Sequence, residues 1–286
     1  MVWTLLLLGH LLSLVGYIIL LRKTALGSLH MLVLTGLMQI GVLVPSFAFL
    51  FLGYVSFEHT LLEWALMLLA GIVLSGHVLT NVWALSELDA SLFTLLYNLR
   101  LFVVTVLAFI FLGELPTLLQ MVGGLIILMS IVILNLHLDG RWRSTPILIG
   151  LFCMLWFSGH AVFEKFNIGF FDIYSYIFFI SLVSAVVVWV TIFMMRIDMR
   201  EQVQHMRDIN ILGLVMTRAV SAYTYLFALL YGSLAVTNYV SGMSVALIVL
   251  SGIYFLNERD DVPRKLIAVA IACVGLTFIF FGSLQY

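Results

Sequence analysis

Charge is what this chain has least of. Only 9% of its 286 residues are charged, while 64% are hydrophobic; a soluble globular domain carries roughly 25% charged residues. One core cannot hide that much apolar surface, so the composition excludes a soluble domain and points to an all-α integral membrane protein. The net charge of −1 offers no basic surface to a nucleic acid, which leaves membrane lipids and a small-molecule substrate as the expected partners. Cysteine is nearly absent too. Cys153 and Cys273 both fall inside apolar runs and make no disulfide or metal pattern. The sequence holds no His-Glu-x-x-His and no phosphate-cradling Gly-x-x-x-x-Gly-Lys, so no metal, no cofactor, no ATP hydrolysis and no enzyme activity is expected. Residues 1–21 lack a basic leader and a small-residue cleavage site, so they read as a permanent span rather than a signal peptide.

Long apolar runs are what the chain has instead. A helix needs about 20 residues to cross about 30 Å of hydrocarbon. Ten runs qualify: 2–21, 30–52, 61–85, 90–112, 118–136, 146–166, 173–195, 210–231, 234–256 and 264–284. Their lengths suit helices, which satisfy their own backbone in lipid, better than barrel strands. Between them stand short breaks such as "RKTALGS", "DGRWRSTP", "RIDMREQVQHMRD" and "NERDDVPRK".

The chain is weakly self-similar at a separation of roughly 144 residues. "FLGELP" ends in the acid–proline pair Glu114 and Pro116; "FLNERDDVP" repeats the plan with Glu258 and Pro263. Proline suits a first helical turn, and each glutamate reads as a carboxylate favoured by the positive end of the helix that follows. Five spans per half is an odd number, so the second half enters the membrane inverted. The expected domains are 1–137 and 146–286, with a substrate site near the midplane between them. Ten spans and these paired segments resemble the drug/metabolite transporter superfamily, EamA type. The resemblance implies alternating-access movement of small metabolites, often as efflux, in a plasma or inner membrane, and it leaves the oligomeric state open.

The breaks also carry an orientation signal. Arg22, Lys23, Arg141, Arg143, Arg196, Arg200, Arg207, Arg259, Arg264 and Lys265 fall on one side; Lys165 alone falls on the other, among acids. That bias puts both termini outside the cytoplasm, whereas relatives in the family it resembles usually keep both inside.

Few ionisable groups lie deep in a span: His10, His77, Arg100, His160 and Arg218. An arginine near a bilayer centre costs at least about 2.5–3.5 kcal/mol on insertion scales. Glu87, Asp89, Glu164 and Asp208 sit near span ends, so the two deep guanidiniums are expected to lack fixed counter-charges. A travelling anion would supply one, since a guanidinium matches carboxylate or phosphate through paired hydrogen bonds. Helical spacing places polar companions beside them: Tyr97 with Arg100; Ser221, Ala222 and Tyr225 with Arg218; Asn81 with His77; Ser13 and Tyr17 with His10; Ser241 and Gly242 with Asn238. Arg100 and Arg218 are thus the expected anion-binding residues. Tyr97, Tyr225, His77, Asn81, His10, Trp156, His160 and Asn238 are expected to shape the pocket. His160 and Glu164, four apart, read first as a structural hydrogen bond and second as a proton relay. The function expected is a secondary transporter, exporter or exchanger, of a small anionic or zwitterionic metabolite. The rivals are a cation or drug exporter of the same fold and a membrane-embedded protein without transport.

Overall fold

A computed structural model describes residues 2–27, 29–112, 117–135, 144–206, 208–231 and 234–283. Every regular element among these residues is a helix: α1 (Val2–Ala25), α2 (Met31–Phe51), α3 (Leu61–Glu87), α4 (Ala90–Asn98), α5 (Arg100–Leu112), α6 (Leu118–Asn135), α7 (Ser144–Ile168), α8 (Ile173–Met194), α9 (Met199–His205), α10 (Ile209–Tyr231), α11 (Leu234–Phe255) and α12 (Val262–Ser283). Six are long and apolar enough to cross a membrane, in α1, α2, α3, α8, α10 and α12. Shorter apolar stretches at Ala90–Val104, Leu118–Ser130, Ile147–Ala161 and Ser244–Phe255 fall within the four other expected spans. Glu114 and Pro116 lie outside the described residues.

Helix ends follow local chemistry. Thr60 and Glu63 form a reciprocal capping box at the start of α3. The Asp172 carboxylate accepts from the backbone of Tyr174 and Ser175 at 2.9 and 3.1 Å and opens α8. Two expectations change here. The fourth span is broken: the Leu99 N–H turns back to Leu96 O, three residues away, immediately before Arg100. The stretch after residue 196, expected as a bare linker, folds the short helix α9, whose Gln202 accepts from His30 N at 2.7 Å.

The helices pack in pairs: α1 on α10, α3 on α7, α2 on α8, α6 on α12 and α4 on α11. Leucines such as Leu5, Leu8 and Leu12 of α1 and Leu61 of α3 remain exposed on the outside. In lipid that exposure costs nothing, and small residues, which let backbones approach, set the packing. Gly123 of α6 and Gly275 of α12 face each other. A Cβ built on Gly123 would lie 2.5 Å from Gly275 O, and one on Gly275 would lie 2.7 Å from Gly123 O. Both contacts are with backbone, so no rotamer relieves them. Gly123→Ala is expected to force α6 and α12 apart and lower stability by about 1–3 kcal/mol, the usual cost of overpacking. A thermal melt in detergent checks it; an unchanged melt means the helices separate freely.

Arg22 and Lys265 meet acids at one end of the bundle. Arg22 bonds to Leu85 O at 2.6 Å and pairs with Asp89 at 3.4 Å. Lys265 reaches Asp89 at 3.6 Å, the Glu258 carboxylate at 3.8 Å and Glu258 O at 3.0 Å. Glu258 does lie at a helix N-terminus, but that of α4 and not of the helix that follows it. It accepts from Ala90 N at 2.8 Å, Ser91 N at 3.3 Å and Ser91 Oγ at 2.7 Å. Asp89, the residue before α4, makes no side-chain cap, so this distant carboxylate satisfies the orphan N–H groups.

Candidate functional site

Between this end and the other end of the bundle lies a cavity of about 150 Å³. An engineered cavity of about that size takes a benzene-sized molecule. Helices α1, α2, α3, α7, α8, α10 and α11 line it, together with the α4–α5 junction. Arg100 enters from that junction and Arg218 from α10. His10, His77, Asn81, Tyr97, His160 and Tyr225 line the same space, so eight of the ten expected site residues meet there. Trp156 does not. Its indole donates to Val73 O at 2.6 Å, and Gly76 is bare where the ring crosses α3, so Trp156 ties α7 to α3. The side chain of Asn238 lies outside the described residues.

The two guanidiniums are held by aromatic faces. Arg100 lies 4.1 Å from the Tyr97 ring centroid and 4.5 Å from that of Phe157. Arg218 lies 5.5 Å from the ring of Tyr17. Each such contact contributes about 0.5–2 kcal/mol, which offsets part of the insertion cost. Among the described residues neither arginine forms an ion pair with a carboxylate. The Nε of each is buried without a hydrogen-bond partner in the chain.

The remaining polar groups divide into committed and open ones. His10 Nδ1 lies 3.0 Å from Ser221 O, and Nε2 lies 2.8 Å from Ser241 Oγ. A carbonyl only accepts, so Nδ1 carries the proton and Nε2 of the neutral ring accepts from the hydroxyl. His10 thereby joins α1, α10 and α11, and both its nitrogens are occupied. Asn81 is committed as well: it donates to His77 Nε2 at 3.0 Å and accepts from Cys153 Sγ at 3.2 Å. That leaves His77 Nδ1–H as a buried donor without a partner. His160, only 6% exposed, has no partner at either ring nitrogen. The structural hydrogen bond expected between His160 and Glu164 is therefore not formed.

Among the lining residues that escaped the sequence reading are Glu164, Gln39 and Tyr176. Glu164, assigned to a span end, lines the cavity within electrostatic reach of Arg218. The deep guanidiniums thus share their chamber with a carboxylate, although they do not clasp it. Gln39 on α2 lines the chamber with an unpartnered amide nitrogen, and Tyr176 on α8 lines it with its hydroxyl beside the Glu164 carboxylate. Gln39 is the lone amide in "MLVLTGLMQIGVLV", a signal that was present. Tyr176 has no such mark, because it stands in an aromatic stretch where one ring resembles the next.

The comparisons with known proteins fit this architecture. Residues 1–136 match the model of the EamA-like transporter family. No curated protein matches the chain. Among solved structures 26 chains match. One crystal structure covers 96% of this chain and 95% of its own, with a TM-score of 0.67 at 18% identity. Identity that low shows a shared fold alone. The first 136 residues thus match the EamA-like transporter family, in keeping with the drug/metabolite transporter superfamily, and the series of apolar helices is that of a multi-pass membrane protein.

Proposed function

We propose that the protein is a secondary transporter that moves a small anionic or zwitterionic metabolite by alternating access, as exporter or exchanger. The observation that carries this reading is the pair of guanidiniums, Arg100 and Arg218, in one cavity with no ion-paired carboxylate among the described residues. Buried charges are normally paired. An unpaired pair facing an accessible chamber suits a ligand that supplies the missing charge and then leaves. The tyrosine and histidine side chains around them offer further hydrogen bonds.

The halves 1–137 and 146–286 act here as inverted five-helix repeats. Exchanging them maps α1 onto α7 and α3 onto α10. The α1–α10 pair then becomes the α7–α3 pair, while α2–α8, α4–α11 and α6–α12 map onto themselves. All five packings occur. Asn98 donates to Gly242 O at 3.5 Å, a contact across 144 residues, the same separation as the sequence repeat. Repeats related in this way place their substrate on the interface, and rocking one against the other opens each end in turn.

A thermal-shift panel on the purified protein tests the proposal. Small carboxylates, phosphates and amino acids are expected to raise the melting temperature, and quaternary and aromatic cations are not. The rival cation exporter has one observation in its favour, Glu164 in the cavity wall. Stabilisation by cations with silence from every anion would decide for it.

A further inference from the structure

We propose that the groove where α8 meets α9 binds an anionic phospholipid, with the Arg196 guanidinium on its phosphate and an acyl chain along the apolar wall. The groove measures about 650 Å³, and Trp189, Ile192, Phe193, Arg196, Ile197 and Met199 are among the residues lining it. No described residue lines both this groove and the central cavity, so the site stands apart from the anion-binding reading above. Depth selects the occupant. Helix α8 is one of those long and apolar enough to cross a membrane. Its 22 residues rise about 33 Å, slightly more than the hydrocarbon thickness of about 30 Å. Phe193 and Met194 at its end are 84% and 74% exposed, at the level where acyl chains give way to headgroups. Arg196, just beyond them, stands among the headgroups. Trp189, more than a turn back along α8, lies at acyl-chain depth. Its indole rests against α2 at Gly36, where a Cβ would come within 3.1 Å of the ring. A molecule seated in this groove meets apolar side chains at its deep end and a cation at its shallow end.

Charge selects the headgroup. Among the described residues no carboxylate lines the groove beside Arg196, and Arg196 forms no ion pair. Asp198, the nearest acid in sequence, accepts from Arg200 N at 2.8 Å and caps α9. The backbone holds the arginine in place under strain. Arg196 has a φ of 53°, in the left-handed region where glycine is at ease and other residues are not. Arg196 N donates to Phe193 O at 3.1 Å and Ile197 N to Ile192 O at 3.3 Å, the two bonds that close a helix on a left-handed residue. The turn returns Ile197 to the groove wall, and Gln202 anchors α9 through His30 N at 2.7 Å. An unpaired guanidinium on a fixed turn, above an apolar channel, is complementary to a phosphate with a chain beneath it. Phosphatidylcholine answers its own phosphate with an ammonium. An anionic lipid does not, and it takes the full charge of the paired hydrogen bonds.

Three probes test this in a thermal-shift titration of the full-length protein in mild detergent: palmitoyl-oleoyl phosphatidylglycerol, phosphatidylcholine with the same chains, and glycerophosphate, the headgroup without chains. The half-maximal concentration for phosphatidylglycerol is expected to be about fivefold or more below that for phosphatidylcholine, the effect of one basic residue at an anionic surface. Arg196→Gly is expected to erase that preference without lowering the lipid-free melt, because glycine suits the left-handed turn. Arg196→Lys keeps the charge and most of the preference. Any response to glycerophosphate, which the cavity arginines would give, stays the same in all three proteins. Equal responses to the two lipids in wild type overturn the site, and so does a preference that survives Arg196→Gly. A glycerophosphate response that falls in Arg196→Gly turns the groove into a site for free phosphate and overturns the lipid. None of these outcomes alters the reading of the central cavity, and the wild-type comparison needs no variant to fold.

Discussion

Arg100→Gln is expected to weaken binding of an anionic ligand by about 30-fold or more, because truncating one partner of a buried, hydrogen-bonded charge pair costs about 2–5 kcal/mol. Glutamine keeps most of the length and one amide donor but loses the charge and the paired geometry. Its effect on the empty protein runs the other way. Arg100 makes no ion pair among the described residues and rests on Tyr97 and Phe157. Removing it forfeits those aromatic contacts, about 0.5–2 kcal/mol each, and also removes a charge whose insertion costs about 2.5–3.5 kcal/mol. The two nearly cancel, so the ligand-free melt is expected to stay within a few degrees of wild type or to rise, while the ligand-induced shift disappears. A structural arginine gives the reverse, a damaged apo protein. Melts with and without ligand, and uptake into proteoliposomes, separate the two. Arg218→Gln is expected to act in the same direction. If both guanidiniums hold one acidic group, the double variant loses less than the sum of the singles, the mark of residues sharing a partner. Wild-type affinity in Arg100→Gln removes the basis for the anion site.

The membrane class was legible because lipid is a simple solvent: it asks for apolar runs of the right length, and the sequence supplies them. The meeting of Arg100, Arg218, His10, His77, His160 and Tyr225 was legible for the same reason, since polar groups scarce enough to count have few places to go in a helical bundle. Glu164 was misjudged because span position was taken as depth. The cavity extends far enough along α7 that a residue one turn from the end of that helix still faces it. Trp156 was misjudged because a large ring on a span reads equally well as pocket or packing, and only the bare backbone at Gly76 tells which. The Glu258 cap on α4 spans 168 residues of sequence, and no local rule for helix ends reaches that far.

That cap predicts the second large effect. Glu258 is 8% exposed and accepts from Ala90 N, Ser91 N and Ser91 Oγ, with the buried Lys265 beside it. Glu258→Ala strips the first turn of α4 of its acceptor and leaves Lys265 to share Asp89 with Arg22. Breaking a buried charged pair costs about 3–5 kcal/mol. At about 2 °C or more per kcal/mol for a chain of this size, the apparent melt is expected to fall by about 6 °C or more. Glu258→Gln retains one oxygen acceptor and the shape, so it should fall between alanine and wild type. Stability is half of the expectation. The cap joins the α11–α12 turn to the start of α4, and Asp89 ties that start to α1 and α12 through Arg22 and Lys265. Every one of these contacts lies at the basic end of the bundle, and none lines the cavity. Losing the cap should therefore loosen that end and leave the arginine chamber intact. A cysteine placed at Ala90, which is fully buried, is expected to react slowly with a water-soluble thiol reagent in otherwise wild-type protein and several-fold faster in Glu258→Ala. A lower melt with unchanged labelling makes the carboxylate a support for α4 and nothing more; faster labelling with retained ligand response makes it a closure of that end, as the proposed alternating-access cycle requires.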